Sequence, residues 1–322
     1  MNANNRIKKI SLIIPCYNEG ASLPLFDQEI SKIVAQMNSY EFEIIFIDDG
    51  SKDNTLKCIR ELSKKRAYVK YLSFSRNFGK EAAMYAGFIN ACGDYIAIMD
   101  ADLQDPPSLL PEMVQLLEMG NYDSVAARRI SRAGEPVIRS LFARLFYKLI
   151  NRISDTDIVD GARDYRLMKR DMVDVIVQMK EQNRFSKGIF GWIGFRTYWL
   201  SFENMERIAG ETKWSFWKLF LYSLDGIMSF SQMPLNIASF MGLGCTGISF
   251  LAIIFIFAEK LLFGNSVQGW ASNMCVNIFL GGIQLFCLGI IGQYVGKTYV
   301  ETKKRPHFIV SESSEEQIKK TG

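Results

Sequence analysis

Residues 98–107 read IMDADLQDPP, an apolar run that stops abruptly at three aspartates, Asp100, Asp102 and Asp105, and ends on two prolines. One reading is a polar turn capped by aspartate. The other is a hard-cation site at the end of a strand. Mg2+ and Mn2+ prefer oxygen ligands, and magnesium takes only one or two protein carboxylates, leaving water and substrate phosphates to complete its shell. Asp100 and Asp102 are the expected ligands. Asp105, followed by Pro106 and Pro107, is expected to open the next helix.

Working outward, apolar runs of about five residues recur at 10–14, 44–47, 71–74 and 95–99. Short continuous runs suit strands buried on both faces, as in a parallel sheet. Helical patterns lie between them: Ser22 as a cap before Leu23, Phe26, Ile30, Ile33 and Met37, then Asp53 or Asn54 as a second cap, then residues 79–91. This alternation predicts a doubly wound α/β domain. Ligands of such domains sit beyond the carboxyl ends of the strands. The polar stretches PCYNEG, DDGSKDNT, SRNFGK and DADLQDPP therefore converge on one cleft. Asp48 and Asp49 can accept from a ribose hydroxyl or a base N–H, Tyr17 can stack on a base, and Glu19 can bind or cap. No G-x-G-x-x-G or P-loop occurs in these loops, which weakens the dinucleotide and NTPase readings.

The totals narrow the chemistry. The 322 residues carry a formal charge of +4, too mild to argue for nucleic acid. Six cysteines, at 16, 58, 92, 245, 275 and 287, form no CxxC pair, so neither a disulfide framework nor a thiolate zinc site is expected. The lone histidine, His307, lies in a polar tail, which leaves acid–base and metal chemistry to carboxylates. The opening MNANNRIKKISLII is too short and too soon broken by Pro15 to read as a signal peptide.

After residue 225 the composition changes. Residues 226–258 and 261–296, 33 and 36 in number, contain no charge, and either run exceeds the ~20 apolar residues that cross a bilayer. Spans at about 235–257 and 273–295 are expected, as a transmembrane hairpin following a domain of residues 1–229. Lys297, Lys303, Lys304 and Arg305 place the 299–322 tail, and with it the α/β domain, on the cytoplasmic side of the plasma (inner) membrane. Residues 136–153 form a basic amphipathic pattern, with Val137, Leu141, Leu145 and Leu149 on one face and Arg139, Arg144, Lys148 and Arg152 on another. It suits a membrane surface or packing against the sheet. A second interfacial candidate is 213–226, KWSFWKLFLYSLDG.

In order along the chain, LIIPCYNEG, IDDGSKDNT, SRNFGKEAAMYAG, DADLQDPP, DYRLMKRD, NRFSKGIFGWIGF and RIAGETKW resemble glycosyltransferase family 2, in its polyprenyl-phosphate hexosyltransferase branch. The resemblance covers roughly residues 8–300. It implies a GT-A fold that transfers a hexose, with inversion, from a nucleotide sugar such as UDP-glucose to a polyprenyl phosphate such as undecaprenyl phosphate. It also implies Mg2+ or Mn2+ at Asp100 and Asp102 with Gln104 beside them. Pro15, Tyr17, Glu19, Asp48, Asp49 and Lys80 match nucleotide-sugar contacts, and Arg128, Arg132, Arg139, Arg207 and Lys213 match acceptor or diphosphate contacts. Asp164 matches the residue assigned as general base. A phosphate monoester is largely dianionic above its second pKa of ~6, so Asp164 can equally orient the attack or pair with Arg166. Relatives carry an arginine three residues before Arg207, where this chain has Asn204. A processive polysaccharide synthase would show Q-x-x-R-W and more spans, and neither is present. The sequence is compatible with a homo-oligomer.

Overall fold

Each of the four apolar runs forms a strand: β1 (Lys8–Cys16), β2 (Tyr40–Asp48), β3 (Val69–Phe74) and β4 (Tyr95–Ile98). The computed structural model describes residues 6–130, 159, 161–203, 228, 231–263 and 269–315. The helices between the strands are α1 (Leu23–Gln36), α2 (Thr55–Lys65) and α3 (Lys80–Asn90). Then follow α4 (Leu110–Glu118), β5 (Ser124–Arg129), β6 (Ala162–Lys169), α5 (Arg170–Gln178), α6 (Ser186–Trp192) and β7 (Thr197–Phe202). The interfacial segments 136–153 and 213–226, with Arg132, Arg139, Asn204, Arg207 and Lys213, lie outside the described residues.

The sheet has eight strands in the order β7-β5-β6-β4-β1-β2-β3-β8, where β8 is Val310–Ser313. Strands β3, β2, β1 and β4 run parallel, while β6 is antiparallel to both β4 and β5. Strand alternation splits the core. Leu12, Ile14, Phe46 and Leu167 face the α1 and α4 side. Ile13, Ile47, Ile98 and Met168 face α3, α5 and α6. Gly87 lets α3 lie close to β1, because a Cβ there would stand 2.2 Å from a methyl of Ile13. The order reverses between β1 and β4, the switch point at which open α/β sheets bind ligands.

The caps are divided differently from the sequence expectation. Ser22 occupies the N-cap of α1 but makes no side-chain cap, since its hydroxyl donates to Glu19 instead. Asp53 accepts the Thr55 N–H at 3.0 Å at the start of α2.

Two long helices follow, α7 (Met233–Phe263) and α8 (Trp270–Thr302). Each contains a stretch long and apolar enough to cross a membrane, and these stretches are not buried against protein. Phe240, Leu243, Phe257, Ile278 and Leu285 are exposed. A soluble protein rarely leaves so large an apolar surface uncovered. The helices pair antiparallel: Tyr294 donates to the Ser231 carbonyl at 2.7 Å, and the Cys287 thiol to that of Ala238 at 3.6 Å.

The segment after α8 returns to the domain. Strand β8 pairs antiparallel with β3, and fully buried Phe308 stacks on Phe74 with ring centroids 5.1 Å apart. His307 lies against Tyr85, and the Glu301 carboxylate accepts the backbone N–H groups of Gln182 and Asn183. The end of the second long helix is thereby fixed to the sheet edge next to the β2 and β3 loops.

Candidate active site

The polar loops meet at the switch point, and hydrogen bonds lock them together. The Asn18 N–H donates to Ser51, and the Asn18 side chain accepts the Lys52 N–H at 2.8 Å. The Glu19 N–H donates to Thr55 at 2.8 Å. The loop after β1, which carries Tyr17 and Glu19 and follows Pro15 at the strand's end, is thus held by the loop after β2.

Asp48 and Asp49 are both buried. Asp48 accepts from the Ser73 hydroxyl at 2.7 Å and the Ser51 N–H at 3.1 Å. Asp49 accepts the N–H groups of Phe78 and Gly79 at 2.6 and 2.9 Å, fixing the turn that opens α3. Burial pushes Asp49 up to about 6, against the pull of those two donors. Gly50, at φ +64°, permits this approach, because a Cβ would stand 2.5 Å from the carbonyl carbon of Arg76.

That turn delivers Lys80, the first residue of α3, to the centre of the site. Its ammonium lies 2.7 Å from Asp100 at the end of β4 and 2.6 Å from Asp164 on β6. Burial acts to lower the Lys80 pKa, but the two carboxylates outweigh it and hold the group well above the usual lysine range. Burial acts to raise Asp164. Lys80, then Lys187 and Arg163, outweigh it and keep the carboxyl well below the usual range. Asp164 pairs with Lys80 rather than with Arg166.

In the DADLQ turn, Asp102 accepts the Gln104 N–H at 3.1 Å and Leu103 takes φ +58°. Asp100 keeps 24% of its side chain exposed. Two oxygen-donor carboxylates beyond a strand end, both partly open to solvent, fit a hard divalent cation that draws its remaining ligands from phosphate and water. Among the described residues no group of three His, Cys, Asp or Glu side chains converges.

Asp105 does not open the helix. The next turn starts at Pro107 without a side-chain cap. Asp105 is instead 1% exposed and pairs with Arg163 at 2.7 Å. Burial pushes it up to about 6, with Arg163 pulling the other way. Arg163 also reaches the Gln104 side chain at 3.4 Å. Arg128 lies exposed on β5 opposite Ala162, at the same end of the sheet as Asp164.

Residues 11–177 match the family model described as Glycosyl transferase family 2. The chain belongs to glycosyltransferase family 2. Over 305 residues it is 45% identical to the CsbB protein of Bacillus subtilis (strain 168), covering 95% of this chain and 92% of that one. It is 42% identical over 302 residues to a prophage bactoprenol glucosyl transferase homolog of Escherichia coli (strain K12), covering 94% and 98%. It is 40% identical over 305 residues to a bactoprenol glucosyl transferase of Shigella phage SfII, covering 95% and 98%. Among solved structures, the glucosyl-3-phosphoglycerate synthase of Mycobacterium tuberculosis superposes with a TM-score of 0.47 at 19% identity, over 69% of this chain and 78% of that one.

The mixed, mostly parallel sheet of this glycosyltransferase is the GT-A fold that the resemblance implied. The cleft also contains residues that motif reading passed over. Arg163 organises Asp105 and Gln104 from β6. Glu81, next to Lys80, accepts the N–H of Ser186 at 3.1 Å and also its hydroxyl, which ties the start of α6 to α3. Burial pushes Glu81 up to about 7. Charged residues inside the otherwise apolar patterns at 80–90 and 162–169 were the available signal.

Proposed function

We propose that the protein transfers glucose from UDP-glucose to a polyprenyl phosphate, undecaprenyl phosphate in bacteria, at the cytoplasmic face of the plasma membrane. The observation that carries this reading is the join between a family 2 transferase cleft and an exposed apolar hairpin, fixed to the sheet through β8. A soluble acceptor would need no such hairpin. The names of the E. coli and phage relatives supply the sugar and the lipid.

The electrostatic problem is to bring a nucleotide diphosphate against a lipid phosphate. Asp100 and Asp102 would hold Mg2+ or Mn2+, which screens charge on the leaving diphosphate. A phosphate oxygen of the acceptor attacks the anomeric carbon from the face opposite the nucleotide. The bond from that carbon to the diphosphate oxygen breaks, its electron pair leaves with UDP, and the configuration inverts. The acceptor is already dianionic above pH ~6, so little proton abstraction is required. Asp164, ion-paired with Lys80 and therefore a weak base, orients groups rather than taking a proton. Pro15, Tyr17, Glu19, Asp48 and Asp49 shape the nucleoside pocket, with the two aspartates acting largely through the loops they hold.

Purified protein in detergent, given labelled UDP-glucose and undecaprenyl phosphate, should form an organic-extractable glycolipid, and EDTA should abolish it. UDP-N-acetylglucosamine and GDP-mannose in parallel decide the hexose. A water-soluble or protein-bound product, or turnover indifferent to EDTA, would overturn the reading.

A further inference from the structure

The loop between α5 and α6, residues 179–185, is gripped from two sides. On one side stands α3. The Tyr85 hydroxyl donates to the Val177 carbonyl at 3.1 Å, just before the loop begins. Buried Arg184, at the loop's far end, holds its guanidinium 4.3 Å from the Tyr85 ring centroid and donates to the Met179 carbonyl. One turn earlier on α3, Glu81 accepts the N–H and hydroxyl of Ser186. On the other side stands the last turn of α8 and the chain that leaves it. A single oxygen of the Glu301 carboxylate accepts the backbone N–H groups of Gln182 and Asn183, at 2.7 and 3.2 Å. The Gln182 side chain donates to the Arg305 carbonyl, and a His307 ring nitrogen lies 3.0 Å from the Glu181 carbonyl. His307 also packs against Tyr85, with ring centroids 4.8 Å apart, so both grips share one ring.

Loops open locally at little cost unless something ties them down. Two adjacent N–H groups of an irregular loop have no ladder to receive them, and Glu301, 119 residues beyond Gln182, takes both. Hydrogen bonds to an ionised acceptor are the stronger kind. The loop so held runs directly into Ser186, the first residue of α6, and Ser186 is bound to Glu81. Glu81 in turn follows Lys80, whose ammonium lies between Asp100 and Asp164. A run of hydrogen bonds and short stretches of backbone thus joins the end of α8 to the centre of the cleft.

We propose that Glu301 is a positioning residue for the transfer reaction. It holds the 179–185 loop against α3 and, through Ser186 and Glu81, keeps Lys80 between its two aspartates. The site is then complete only when the end of α8 is seated on the domain. That α8 anchors the chain in a membrane rests on the function proposed above; the hydrogen-bonded grip does not.

Amide hydrogen exchange of the full chain in detergent reads the grip without turnover. Glu301→Ala should speed exchange roughly tenfold in peptides covering 181–190 and 80–85 and leave β1 and β2 unchanged. Glu301→Gln keeps an acceptor oxygen in place and should restore most of the protection. In the glycolipid assay, Glu301→Ala should lower kcat roughly tenfold and change the KM for UDP-glucose less than about twofold. Glu301→Gln should recover most of the lost kcat. Lys303→Ala, which removes an exposed charge at the same helix end, should leave both readouts at wild-type values. If Glu301→Ala does not fold, Gln182→Ala, which removes only the side-chain bond to Arg305, decides in its place. Faster exchange confined to 181–183, or an equal loss in Lys303→Ala, overturns the assignment. Glycolipid formation with an unchanged kcat in Glu301→Ala rejects the positioning role alone. If no nucleotide sugar yields a glycolipid, the proposed function fails, and the exchange pattern still decides the grip.

Discussion

Lys80 occupies the point where a divalent cation would meet Asp100, so removing its charge should tighten metal binding while lowering turnover. The ammonium touches Asp100 at 2.7 Å and Asp164 at 2.6 Å, which places the two carboxylates within about 5 Å of each other. At an effective dielectric of ~40, each of these contacts is worth about 3 kcal/mol of Coulomb attraction. Lys80 and Asp100 are partly exposed, so solvent screening reduces that by roughly half. In Lys80→Met, a cation arriving at Asp100 no longer competes with the lysine and also relieves the repulsion between Asp100 and Asp164. Mn2+ affinity without nucleotide should rise by ~1.4–2.8 kcal/mol, or tenfold to a hundredfold. Calorimetric titration of detergent-solubilised protein measures this directly. Glycolipid formation should fall at the same time, because Lys80 also holds Asp164 in place beside Asp100. An unchanged or weaker Mn2+ affinity in a folded Lys80→Met protein would falsify the argument that the lysine and the metal compete.

Three further outcomes follow from the geometry. Phe308→Ala removes a fully buried ring stacked on Phe74 and should cost about 3–5 kcal/mol, seen as a lowered thermal unfolding midpoint; a loss under ~1 kcal/mol means β8 is not held by that ring. Arg163→Met strands the buried Asp105 carboxylate and should cost about 3–5 kcal/mol, and adding Asp105→Asn should recover part of it; no recovery would place the arginine's role elsewhere. Glu81 titrates at about 7 in the fold against 4.5 ordinarily, so its contribution to stability is complete below pH ~4.5 and is lost as pH rises through ~7. Glu81→Gln should flatten the fall in unfolding midpoint between those values, and an unaltered pH profile would exclude Glu81 as its source.

The strands were legible because burial on both faces leaves no alternation to confuse: 10–14 and 44–47 extend by a few residues into β1 and β2. The loop DADLQ follows β4 at the carboxyl end of the sheet, where the end of the apolar run at 95–99 put it. Asp105 was misread because its neighbours, two prolines, are strong local signals for a helix start. Its actual partner, Arg163, lies 58 residues away and enters through antiparallel pairing of β6 with β4. One reading of the sequence paired Asp164 with Arg166, two residues on, but the structure pairs it with Lys80, 84 residues distant. The tail read as a polar extension because most of its residues are charged or polar, while the single phenylalanine at 308 supplies the anchor.

The sequence by itself determined the α/β alternation, the loops that would share a cleft and the presence of two apolar helices. These depend on local periodicity and on composition, which neighbouring residues carry. Only the tertiary structure decided which charge meets which: Lys80 between Asp100 and Asp164, and Arg163 on Asp105. Ion pairs between distant segments follow from strand order and register, and eight strands admit many orders that satisfy the same apolar pattern. The low-dielectric interior then makes the chosen pairings costly to change, and so fixes the electrostatics of the site.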